Sequence, residues 1–170
     1  IQTSDGTLRW KSAVVNGCQH PVVSLDGTMV YVGSSNYRLY ALKVLDGTEQ
    51  WNYIAGDGTG TGYPNGIKVN HPLLSLDGET VFVGANDNQL HAVRASNGVG
   101  IWKSSTGSGS VAYQHAVRSV AALSSDGLTI FVMNQKSEVY SIQTASGTHN
   151  WKISLGGTSG SGVLLSQDGL

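Results

Sequence analysis

The chain has 170 residues, with 10 Lys and Arg against 11 Asp and Glu, and only 12% of its residues are charged. No basic run or stripe occurs, which excludes the electrostatic footprint of a nucleic-acid binder. No apolar stretch is long enough to cross a membrane and no charged-then-apolar leader occurs, so neither a span nor a signal peptide lies within these residues. Cys18 stands alone, so neither an intrachain disulfide nor a cysteine-paired zinc site can form here. Abundant Gly, Ser and Thr suit a turn-rich all-β protein.

In chain order, Leu8 to Val15 reads as a single strand. A full unit follows, with strands over His20 to Leu25, Met29 to Gly33, Arg38 to Lys43 and Thr48 to Ile54. Each is short, rich in Val, Tyr and Ile, and bounded by turn formers. Asp26-Gly27 closes the first hairpin of the unit and Asp46-Gly47 the last; such pairs accept the positive φ that tight hairpin turns need. The middle turn, Ser34-Ser35-Asn36-Tyr37, is longer and polar.

The same order returns twice, as Asp77-Gly78, Ala85-Asn86-Asp87-Asn88 and Asn97-Gly98, then as Asp126-Gly127, Asn134-Gln135-Lys136-Ser137 and Ser146-Gly147. One more strand, Gly162 to Ser166, leads into Asp168-Gly169. No segment sustains an apolar period of 3.6, so almost no helix is expected.

Asp26 to Trp51, Asp77 to Trp102 and Asp126 to Trp151 superimpose without a gap, 26 residues each. A four-stranded antiparallel meander repeated in this way predicts an all-β fold, a β-propeller segment of about three full blades with partial blades at both ends. The expected division is the last strand of a partial blade in residues 1–16, blades over 17–55, 68–103 and 117–155, and the first strand of a further blade in 156–170. Propellers close with about four blades or more. The expectation is therefore a fragment of a larger ring, or a ring completed by another chain.

The stretch Ala41-Leu42-Lys43-Val44-Leu45-Asp46-Gly47-Thr48-Glu49-Gln50-Trp51 resembles the tryptophan-docking motif of the quinoprotein-type (PQQ-like) propeller family, A-x-D-x-x-T-G-x-x-x-W. Ala92 to Trp102 and Ser141 to Trp151 repeat it, and Asp5-Gly6-Thr7-Leu8-Arg9-Trp10 matches its second half. The resemblance implies that Trp10, Trp51, Trp102 and Trp151 are structural docking residues, each packing on a neighbouring blade with its indole donating to backbone. The chain departs from the motif's Asp at Lys43, Arg94 and Gln143 and from its Thr at Asp46, Asn97 and Ser146. A girdle preserved in shape but altered in its polar bonds is expected.

Enzymatic activity does not travel with the repeat. Quinoprotein dehydrogenases of the family need residues that hold the quinone and calcium, a catalytic Asp and, in many members, adjacent cysteines. No adjacent cysteines occur, and no Asp, Glu and Asn spacing stands out as a calcium site. Asp57 to Gly62 is glycine-rich but lacks the Lys-Ser/Thr ending of a phosphate loop. No catalytic, cofactor-binding or metal residue is assigned; PQQ and calcium enter only if the missing blades make the chain part of an alcohol or sugar dehydrogenase.

From Trp to the next Asp the spacing runs 16, 26, 24 and 17 residues, so all length variation falls in the blade-to-blade connections. Connections share an end of the propeller with the middle turns, and insertions on one end of a repeat array often mark its binding face. The two long ones supply the candidate binding residues Asp57, Tyr63, Asn65, Lys68, Tyr113, Gln114, His115 and Arg118; solvated loops of no function are the competing reading. His20 and His71, each followed by Pro at equivalent positions, join His115 as candidate metal ligands, against the plainer reading of a strand-opening His-Pro. Val120-Ala121 in the third unit breaks any symmetric site.

The preferred reading is a non-enzymatic scaffold that binds a protein partner or ligand, extracytoplasmic by family resemblance. The first rival is the quinoprotein dehydrogenase fragment. The second is a structural protein that assembles through unpaired blade edges with further blades of the same or another chain.

Overall fold

The computed structural model describes residues 7–13, 20–55, 70–107, 117 and 121–157. They form three four-stranded antiparallel meanders, with no helix among the described residues: β1 (Val22–Val23) to β4 (Glu49–Ile54) through β2 (Met29–Gly33) and β3 (Arg38–Lys43); β5 (Asn70–Leu74) to β8 (Gly100–Ser105) through β6 (Thr80–Gly84) and β7 (Gln89–Arg94); and β9 (Ala122–Leu123) to β12 (His149–Ser154) through β10 (Thr129–Met133) and β11 (Glu138–Gln143). Each sheet is one blade of a β-propeller segment. Connection through three turns puts the two Asp-Gly-type turns of a blade at one end and the middle turn at the other, with the blade-to-blade connections.

Two strands differ from the sequence expectation. The first strand shortens to Val22–Val23 because Pro21 has no N–H to give a ladder and Ser24 is drawn into the turn, its backbone N–H donating to Met29 O (2.9 Å) and its Oγ to Asp26 (2.5 Å). Leu8 to Ala13 form no strand. The predicted Val14-Val15 and Gly162 to Ser166 lie outside the described residues.

The Ser-x-Asp-Gly turn is built identically three times. Asp26, Asp77 and Asp126 each accept from the serine two residues back and from the N–H two residues on. The serine hydroxyl, then the N–H, holds each carboxyl below its usual range. Gly27, Gly78 and Gly127 take φ of 71°, 76° and 72°.

Blades stack by their faces, so the middle strands bury side chains on both sides. Leu39, Ala41, Val81, Val83 and Val93 join the first blade to the second, and Phe82, Leu90, Ala92, Ile130, Val132 and Ile142 join the second to the third. That two-sided burial explains near-continuous apolar runs where a half-exposed sheet would alternate. β12, with no blade packed on its outer face among the described residues, is exposed throughout.

Each seam is closed by an indole. Trp10 Nε1 donates to Val44 O (2.8 Å), Trp51 Nε1 to Ala95 O (2.9 Å) and Trp102 Nε1 to Thr144 O (2.9 Å). The ring lies flat on a glycine of the next blade's last turn: a Cβ at Gly47, Gly98 or Gly147 would come within 2.6–2.7 Å of it. Because the acceptor is a backbone carbonyl, the side chains at Lys43, Arg94 and Gln143 do not enter the bond. Asp46, Asn97 and Ser146 each accept the N–H two residues on, at 2.9, 3.1 and 3.2 Å, stabilising the turn in three chemistries. Trp151 is 48% exposed and its indole has no such acceptor among the described residues.

Gly27 and Gly98 separate conformational strain from crowding. Gly27 has open space around its Cα and Gly98 carries Trp51, so Gly27→Ala should cost only the left-handed backbone penalty of about 1 kcal/mol, and Gly98→Ala should cost about 3 kcal/mol with the ring displaced. Urea denaturation followed by tryptophan fluorescence measures both; equal losses would mean the ring is not seated on the glycine.

Candidate functional site

Asp57, Tyr63, Asn65, Lys68, Tyr113, Gln114, His115 and Arg118 all lie outside the described residues. What the structure shows of the connection end is the middle turns, the ends of the last strands and the beginnings of the first strands. Tyr37, Asn88 and Ser137 occupy one equivalent turn position with φ of 69°, 62° and 57°, so the three turns share a backbone course and differ in what they carry.

At the first seam, strand β4 sends Tyr53 across to β7. Tyr53 Oη donates to His91 Nδ1 (3.0 Å), and His91 Nε2 meets Asp87 Oδ2 (3.0 Å) in the middle turn. His91 is fully buried and Asp87 is 19% exposed. The carboxylate fixes the imidazole with Nε2–H toward it, which leaves Nδ1 to accept the phenol proton. Burial, then the charge of Asp87, pushes the Tyr53 phenol up, so the hydroxyl holds its proton and bridges blades.

The second seam uses different groups. Thr106 O, just past β8, accepts from Asn134 Nδ2 and Tyr140 Oη, each at 2.8 Å. Glu138 collects Asn134 Nδ2 (2.6 Å), Tyr140 Oη (3.1 Å) and Lys152 Nζ (2.9 Å). Burial pushes the Glu138 carboxyl up, but the bonds from Asn134, Lys152 and Tyr140 and the Lys152 charge outweigh it and hold the group at about 2. Burial, then Glu138, pushes the Tyr140 phenol up.

None of these polar sets was singled out from the sequence. The available signal was one strand position that reads Tyr40, His91 and Tyr140, three polar aromatics over three polar turns.

His20 and His71 are brought together: their rings stack with centroids 4.1 Å apart and planes 24° from parallel. Burial, then the neighbouring His20, holds the His71 imidazole below its ordinary range. His115 lies outside the described residues, and no group of three or more His, Cys, Asp or Glu converges among them.

Ser104 and His149 form a serine–imidazole contact, Oγ to Nε2 at 2.9 Å. Ser104 Oγ spends its proton on Gly147 O (2.7 Å), so His149 donates to the hydroxyl and is not placed as its base.

At the Asp-Gly end a groove of about 700 Å³ opens between the first two blades, floored by Tyr31 and Trp51 and rimmed by Asp26, Asp77, Glu79 and Arg94. Asp26 already spends both carboxylate oxygens within its own turn.

Two measurements follow from these networks. Glu138 is 14% exposed and Lys152 50%. A carboxyl lowered from 4.5 to about 2 contributes on the order of 2–3 kcal/mol, present above the unfolded value and lost as pH falls through the folded one. The stability gap between the wild type and Glu138→Gln should therefore be full at neutral pH and narrow between about 4.5 and 2. Tyr53→Phe strips the donor from a buried nitrogen and should cost about 1–3 kcal/mol, with little pH dependence above neutral. Chemical denaturation across pH reads both.

Among curated proteins none matches. The BamB crystal structure from Moraxella catarrhalis is similar at a TM-score of 0.61 and 17% identity, covering 88% of this chain and 40% of that one. The structures of U3-55K and of the RRP9 WD40 repeats are similar at TM-scores of 0.65, with 14% and 13% identity, each similarity covering 84% of this chain and 40% of the other. At such identities these likenesses speak to the propeller fold alone, and the chain spans about two fifths of the length of each. The family described as outer membrane protein assembly factor BamB matches residues 1–168, and with its three phased blades the chain belongs to that family.

Proposed function

We propose that this chain is part of a non-enzymatic propeller scaffold, extracytoplasmic in location, that binds a protein partner through its connection end. One observation carries the reading: the two ends of the blades are built on opposite plans. At the Asp-Gly end the Asp of the Ser-x-Asp-Gly turn accepts the same two hydrogen bonds, from the serine and from the N–H two residues on, in each of the three described blades. The connection end carries a different polar set in each, Asn36 with Tyr40, then Asp87 with His91 and Tyr53, then Asn134 with Glu138, Tyr140 and Lys152. Uniformity is what stacking requires, and diversity on a rigid frame is what recognition uses.

Membership in the assembly-factor family supports both the protein partner and the extracytoplasmic location. The long connections bearing Asp57, Tyr63, Asn65, Lys68, Tyr113, Gln114, His115 and Arg118 extend the same end in sequence. Further blades, of the same or another chain, would cover Trp151 and Ile153, which are 48% and 51% exposed.

Photo-crosslinking residues placed at Asn36, Asp87 and Lys136, and at Asp46, Asn97 and Ser146 of the opposite end, test the reading in the cells that make the protein. Adducts to one common protein are expected from the first set and not from the second. Equal labelling from both ends would remove the polarity on which the proposal stands. Dye reduction that depends on added PQQ and calcium would replace it with a dehydrogenase.

A further inference from the structure

We propose that His20 and His71 form a two-imidazole binding site for a divalent transition-metal ion such as zinc, at the connection end of the seam between the first and second blades. The second blade is irregular where this pair forms. The register of β5 on β6 shifts between Asn70 and Leu73, and His71, inside that shift, has φ of 21°, a backbone state that a residue with a side chain adopts at a cost. Bulges re-aim side chains. Here the result is an imidazole laid across the seam onto His20, at 4.1 Å between centroids.

His20 is exposed and His71 half-buried, so both are open to a small ion. Val120 and Ala121 stand where the third blade would carry His-Pro, so the arrangement does not recur along the repeat and is not required for stacking blades.

Neutral imidazole is the commonest protein ligand for zinc, copper and nickel. Nitrogens 2.0–2.1 Å from one zinc ion lie about 3.3 Å apart in tetrahedral geometry. A shared ion requires the stacked rings, now 24° from parallel, to turn about Cβ–Cγ so that one nitrogen of each faces it. With no third side-chain ligand converging among the described residues, water takes the remaining positions. Affinity is therefore expected below that of four-ligand structural zinc sites, and calcium and magnesium, which require oxygen ligands, are disfavoured.

Titration calorimetry of the whole chain with zinc chloride near neutral pH, paired with thermal melts, tests the site. One zinc per chain and a raised melting temperature are expected. His20→Gln and His71→Gln should each weaken binding by about tenfold or more, His149→Gln should leave it unchanged, and calcium should give no shift. Melts in chelator show whether each variant still folds. As a measurement free of substitution, the imidazole resonances of His20 and His71 should move on adding zinc to the wild type. Absence of binding, binding that survives both substitutions, or movement confined to other histidines would overturn the proposal.

Discussion

The structure depends on one repeated contact, an indole laid flat on a glycine of the next blade with its N–H bonded to that blade's carbonyl. A blade is a small twisted sheet with both faces apolar, and alone it could hide neither. Stacking hides the faces, but apolar surfaces slide and rotate against each other at little cost. The indole adds direction. Its ring fits only where a Cβ is absent, and its hydrogen bond is satisfied only at the one carbonyl beside that glycine, at Val44, Ala95 and Thr144. Desolvating the N–H without this partner would cost about as much as the contact gains, so the same group that buries area also fixes the angle between blades.

From that division of labour follows the freedom of the other end. Once the last turns and the Ser-x-Asp-Gly turns set stacking at one end, the middle turns are held at fixed positions, and their polar residues add seam bonds that differ from blade to blade. Tyr37, Asn88 and Ser137 keep a shared backbone course at positive φ while their neighbours change chemistry. A surface of fixed geometry and free composition is the physical requirement for a binding face.

The frame was legible in the sequence because its determinants are local: Asp-Gly pairs demand positive φ, short apolar runs bounded by turn formers demand strands, and a tryptophan at constant spacing marks each blade. Met29–Gly33 and Arg38–Lys43 lie where the sequence puts them. The side chains at Lys43, Arg94 and Gln143 do not enter the indole bonds, whose acceptors are backbone carbonyls, and the change of polar partner falls on Asp46, Asn97 and Ser146 within the turn. Less legible were the seam networks. Tyr53 and His91 are 38 residues apart, and nothing in either neighbourhood marks them as partners. Their pairing exists only after two blades have stacked. The stacking of His20 on His71 was foreshadowed by the shared His-Pro, whereas the register shift that aims His71 was not.

Near-identical blades raise a problem of order, and the networks bear on it. Equivalent scaffold residues would let the first blade pack on the third almost as well as on the second, since Trp51 would find a glycine and a carbonyl at either. The polar sets discriminate. In that wrong pairing Tyr53 would meet Tyr140 where it now meets His91, and His91 would lose its donor. Each buried group left without a partner costs about 1–3 kcal/mol, comparable to what a single seam contact supplies. A chain whose blades are alike enough to stack needs them to differ somewhere out of the way of stacking, and the connection end is where these blades differ. The diversity read as recognition of a partner therefore also serves recognition between the blades themselves.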